Sequence, residues 1–88
     1  MVRRRVVVSG RVQGVFFRDS VRRLAVQHGV AGWVRNRPDG AVEAVFEGQA
    51  DAVERLVDFM GHGPPSAHVQ DVETAEEEPR GLGGFELR

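Results

Sequence analysis

A chain of 88 residues, 41% hydrophobic and 28% charged with a formal net charge of −1, is sized for one small two-layer domain spanning residues 1–88. That charge balance excludes broad nucleic-acid or membrane binding, which depends on a strong positive excess. Cysteine is absent, so disulfides, thiolate metal sites and a cysteine nucleophile are excluded together. No apolar run is long enough to span a bilayer, and Met1-Val2-Arg3-Arg4-Arg5 lacks a signal peptide's apolar stretch, so a cytoplasmic monomer is expected. All 12 basic residues are arginine, which removes the lysine that a nucleotide P-loop needs.

Residues 4–10 read as a strand carrying the β-branched run Val6, Val7 and Val8. Arg3, Arg4 and Arg5 are expected to solubilise the entrance to that strand. A glycine-containing loop follows, then a helix from about Arg18 to His28. Phe17, Val21, Leu24, Ala25 and His28 fall on one stripe of it, and Gly29 supplies a left-handed stop. Phe16 and Phe17 are assigned to core and pocket wall. Val30 to Asn36 reads as the second strand and Asn36-Arg37-Pro38-Asp39-Gly40 as a tight turn. In the third strand, Ala41 to Glu47, Val42, Ala44 and Phe46 alternate with Glu43, Val45 and Glu47, and Gly48 closes it.

A second helix is predicted from about Asp51 to Met60, with Val53, Leu56, Val57 and Met60 on one face. Asp51 and Glu54 resemble a capping box, and Gly61 with Pro64-Pro65 marks the exit. Ala67 to Thr74 reads as a fourth strand, and broken alternation at Val69 and Val72 implies a bulge. Glu76-Glu77-Glu78-Pro79 reads as a solvated loop, and Gly84 to Leu87 as a short final strand. His28, His62 and His68 are scattered without metal-ligand spacing and are expected at the surface. No metal or other cofactor is predicted.

The β-α-β-β-α-β order suits an α+β, ferredoxin-like split βαββαβ sandwich: an antiparallel sheet, two helices on one face, and a short extra C-terminal strand. In that topology the first and second strands run parallel with another strand between them, so their C-terminal ends share one edge of the sheet. The loop after the first strand and Asn36 at the end of the second then converge.

That loop has the makings of an anion site. A helix start offers backbone N–H groups without internal partners, and Gly14 lets the chain curl close to a ligand. Successive N–H groups across Gln13, Gly14, Val15, Phe16, Phe17 and Arg18 are expected to form a nest for phosphate oxygens. Arg18 adds a planar fork of donors. Asn36 can donate or accept hydrogen bonds but cannot serve as a proton base at neutral pH. Asp19 reads as a first-turn residue favourable to the helix dipole rather than as a nucleophile. An RNA-binding sheet of this topology would carry aromatic residues on its central strands, whereas the first strand here offers valines and the third only Phe46.

Two stretches carry a resemblance. Val8-Ser9-Gly10-Arg11-Val12-Gln13-Gly14-Val15-Phe16-Phe17-Arg18 is similar to the first signature of the acylphosphatase family. Gly32-Trp33-Val34-Arg35-Asn36, followed by Gly40, Val42 and Gly48, resembles the second. Gly63-Pro64-Pro65-Ser66-Ala67 and Gly84-Phe85-Glu86-Leu87-Arg88 extend the likeness over nearly the whole chain. The resemblance implies hydrolysis of acyl phosphates, with Arg18 as the phosphate-binding catalytic residue and Asn36 placing the attacking water. Inorganic phosphate and sulfate are then expected to compete for the site. Similar domains also occur at the start of larger hydrogenase-maturation proteins that handle carbamoyl phosphate, so a regulatory module is the alternative.

Overall fold

The computed structural model describes residues 1–88. Its order is β1 (Val2–Arg11), α1 (Phe17–Gln27), β2 (Ala31–Asn36), β3 (Val42–Gly48), α2 (Ala50–Met60), β4 (His68–Glu77) and β5 (Phe85–Leu87). The strands form one sheet in the order β4-β1-β3-β2-β5. β1 and β2 are each antiparallel to β3, so they run parallel to each other and end at the same edge, as the topology required. β4, β1, β3 and β2 form the expected antiparallel sheet, and the extra C-terminal strand joins it at the β2 edge. β5 pairs parallel to β2, with Gly32 opposite Phe85 and Val34 opposite Leu87, which makes the sheet mixed.

The core lies between the sheet and both helices. Val6, Val8, Val34, Ala44 and Phe46 face Val21 and Ala25 of α1 and Val53, Leu56 and Met60 of α2, all buried. Gly29 ends α1 with φ +66, the left-handed stop expected of it. The register of β1 against β4 shifts where Ser9 faces Asp71 but Gly10 faces Val69, leaving Gln70 as the extra residue of the anticipated bulge. The capping box does not form. Gln49 precedes α2 without a side-chain cap, Asp51 Oδ1 accepts the N–H of Ala52, and Glu54 reaches Arg4 at 3.5 Å. No helix is long and apolar enough to cross a membrane.

The helix-free face of the sheet departs most from expectation. Glu43 and Glu47 alternate with the apolar residues of β3 as the pattern indicated, and every residue of the strand is buried. Arg3 is 3% exposed, so it does not solubilise a strand entrance. Its guanidinium bridges Glu47 at 3.3 Å and Glu77 at 2.8 Å. Arg5 joins Glu77 at 2.6 Å and also pairs with Glu43, whose other oxygen takes Arg35 at 2.8 Å. Glu77 therefore belongs to a strand rather than a solvated loop: β4 runs on to place it opposite Arg3. The driving force is cross-strand charge pairing, which local turn propensity does not report. Interlocked ions stand where a second helical layer would lie, and the stems of the arginines shield the sheet from water.

Candidate active site

The segment from Val12 to Arg18 turns from the end of β1 into α1 by way of two left-handed residues. Gly14 has φ +73, and Phe16 has φ 61 and ψ 25, the only non-glycine residue with positive φ. A left-handed conformation costs an L-residue about 1–2 kcal/mol, a strain typically found where function demands the geometry. The turn divides the two phenylalanines between core and pocket wall. Phe17 is 2% exposed and meets Phe59 edge-on at 6.2 Å, whereas Phe16 is 81% exposed and belongs to no core. Gly63 secures this arrangement from the other side. With φ +71 it lies so close to Phe17 that a Cβ there would overlap the ring. The carbonyl of Phe16 accepts from the N–H of Ser20 at 3.1 Å and its hydroxyl at 2.9 Å. No side chain caps the helix N-terminus, which leaves its first N–H groups for an anion.

Gly14, Phe16, Phe17 and Arg18 line a cleft of about 260 Å³ with Asn36 from β2 and Leu87 from β5. Val12 and Asp19 complete the lining. Two residues of the expected nest, Gln13 and Val15, do not line it. The amide of Gln13 donates to the carbonyls of Arg37 at 2.8 Å and Ala41 at 2.9 Å. It thus clamps the loop to the turn that follows Asn36, which joins the two halves of the site. The carbonyl of Val15 accepts from Ser66 at 3.4 Å. Asp19 pairs with Arg23 at 3.0 Å one turn along α1.

Arg18 donates through Nη1 to the main-chain oxygen of Arg88 at 2.8 Å. Arg88 is seated in turn by its own N–H, which donates to Val34 at 2.9 Å. Sequence reasoning missed these C-terminal contributions, as well as the buried carboxylate behind them. Glu47 is 2% exposed and accepts the N–H groups of Arg80 at 2.8 Å, Gly81 at 2.7 Å and Leu82 at 2.9 Å, besides Arg3. These donors, the Arg80 N–H foremost, hold the Glu47 carboxyl below its ordinary range against the opposing effect of burial. Glu77 is lowered chiefly by Arg3, then Arg5. At Glu43 burial pushes upward, but Arg35 and Arg5 outweigh it and the net shift is downward. In the sequence only Gly81, which takes φ +73, hints at the contact between its loop and Glu47.

Residues 4–87 match the acylphosphatase family model. The chain belongs to the acylphosphatase family. An acylphosphatase of Rubrobacter xylanophilus is 64% identical over 86 residues, covering 96% of this chain and 77% of that protein. One from Gloeobacter violaceus is 56% identical over 98% of this chain and 92% of the relative. The crystal structure of acylphosphatase from Bacillus subtilis matches with a TM-score of 0.95 at 38% identity, covering 100% of this chain and 99% of the other. A full-length HypF crystal structure in the phosphate- and nucleotide-bound form matches with a TM-score of 0.90 at 25% identity, over 12% of its length. Membership in the acylphosphatase family thus agrees with the α+β architecture and with both sequence signatures.

Proposed function

We propose that this member of the family hydrolyses acyl phosphates to a carboxylate and inorganic phosphate in the cleft between Arg18 and Asn36. The observation that carries the reading is the convergence of an uncapped helix start, the Arg18 guanidinium and the Asn36 amide on one small cavity. The N–H groups after Gly14 and the free edge of Arg18 bind the phosphoryl oxygens, and Asn36 orients a water in line with the scissile bond. Gln13 serves this site as a brace, through its hold on the turn after β2.

Such a site needs little acid or base. The leaving carboxylate is stable without protonation, and phosphoryl transfer passes through a loose transition state whose dispersed charge is stabilised by fixed donors. As the bond from water oxygen to phosphorus forms, the bond to the acyl oxygen breaks and its electron pair leaves with the carboxylate. The water's proton passes to a phosphate oxygen, which accounts for a cleft whose only carboxylate, Asp19, is engaged with Arg23. The alternative reading, a regulatory module handling carbamoyl phosphate, draws on the HypF likeness, but that likeness spans 12% of HypF. The relatives matched over most of their own length are acylphosphatases.

The test is turnover of acetyl or benzoyl phosphate by pure protein after exhaustive chelation. Hydrolysis persists without added metal, and both phosphate and sulfate inhibit competitively, because a nest plus arginine holds any tetrahedral oxyanion. Activity abolished by chelation and restored by magnesium or zinc would refute the proposed chemistry.

A further inference from the structure

Arg18 reaches the cleft already in a defined orientation, because Nη1 is bound to the main-chain oxygen of Arg88. A guanidinium held in this way presents its Nε and Nη2 edge, the two-pronged geometry that fits phosphate oxygens. The position of residue 88 therefore sets the position of the fork. β5, which delivers residue 88, is only three residues long. It pairs with β2, Phe85 stacks on Phe46 at 5.9 Å, and the Arg88 side chain lies 4.8 Å from the centre of the Trp33 ring.

The approach to β5 is far less regular. Residues 78–84 are exposed and contain Gly81, Gly83 and Gly84, a composition that favours many conformations. Gly84 is tied to β2 by the N–H of Gly32 at 3.0 Å, and residues 80–82 are held by a single buried carboxylate. Glu47, on the central strand, gathers three consecutive N–H groups from Arg80, Gly81 and Leu82, and Arg3 holds it from behind. Glu47 does not line the cleft, and the 80–82 loop that it holds leads into β5.

We propose that Glu47 is a positioning residue for the reaction, holding Arg18 in its phosphate-binding orientation through the 80–82 loop, β5 and the main-chain oxygen of Arg88. The inference rests on the hydrolase reading above. It differs from a purely structural role in what it moves. Loosening β5 frees Arg18 to adopt other rotamers, and affinity for the phosphoryl group falls because the ordering entropy is then lost on binding.

The experiment compares Glu47→Gln and Glu47→Ala with Val53→Ala, a core truncation that destabilises the fold away from the cleft. Inorganic phosphate binding is titrated calorimetrically on each folded variant. The kcat and KM for benzoyl phosphate, and amide exchange across residues 80–88, are measured alongside. Glu47→Gln weakens phosphate binding and raises KM about tenfold, the size expected for lost pre-organisation, with faster exchange at β5. Val53→Ala loses stability but retains phosphate affinity. Parent-like phosphate affinity in folded Glu47→Gln, or an equal loss in Val53→Ala, would overturn the proposal. Weakened binding with unchanged exchange at residues 80–88 would overturn the route through β5. A parent protein that neither binds phosphate nor turns over benzoyl phosphate overturns the hydrolase reading instead, and this inference with it.

Discussion

Arg18 engages Arg88 through one terminal nitrogen and keeps a planar edge of donors for the cleft. An ammonium at the same place keeps the charge but presents neither the brace nor the paired prongs. Arg18→Lys is therefore expected to lose most activity, on the order of 10²-fold or more in kcat/KM, as for removal of a transition-state donor. Near-parental kcat/KM in a folded Arg18→Lys protein would show that charge alone suffices. The position of this residue was legible in the chain, because a glycine loop between strand and helix sets an arginine at the helix start beside the cleft. The side-chain contacts of Gln13 were not. Its amide is held by two carbonyls beyond Asn36, a partnership that exists only once the loop after β1 and the turn after β2 are brought together.

Among the elements, the segment after α2 packs against the start of α1. Gly63 lies against the Phe17 ring in a left-handed conformation. Gly63→Ala adds a backbone cost of about 1–2 kcal/mol and an overpacking cost of about 1–3 kcal/mol. Urea unfolding is expected to register at least about 2 kcal/mol of lost stability, the lower end of that sum. An unchanged midpoint would mean that the ring moves aside freely. Helices and interior strands were well anticipated because a buried stripe imposes a period on the sequence. The outer stretches were not. β4 continues through Glu76 to Glu77, which pairs with Arg3 and Arg5, and the chain around those glutamates carries only the composition of a loop. β5 was foreseen as a strand, but its parallel pairing with β2 follows a loop held by Glu47, a contact across 33 to 35 residues.

Across the whole molecule, one face of the sheet is closed by helices and the other by the network of Arg3, Arg5, Arg35, Glu43, Glu47 and Glu77. The three carboxyls have folded-state pKa values below their ordinary ones. Their contribution to stability is therefore complete above the unfolded carboxylate range, about pH 4.3, and is lost as pH falls through the lowered folded values. Melting temperature is expected to decline steeply from about pH 4 downward, and Glu43→Gln flattens the decline. A profile that is level between pH 5 and 2.5 would contradict this account of the sheet's open face. The topology also carries the functional claim, since it brings the loop after β1 and the end of β2 into one cleft with separable tasks. The most direct test measures benzoyl phosphate turnover and inorganic phosphate binding on folded Asn36→Ala and Arg18→Ala proteins. Asn36→Ala lowers kcat by about 10²–10³-fold, in parallel with kcat/KM, while phosphate binds as tightly as to the parent. Arg18→Ala loses both turnover and phosphate binding. Full turnover in Asn36→Ala, or a loss of phosphate affinity as severe as that of Arg18→Ala, would contradict a site in which one residue holds the phosphoryl group and the other places the water.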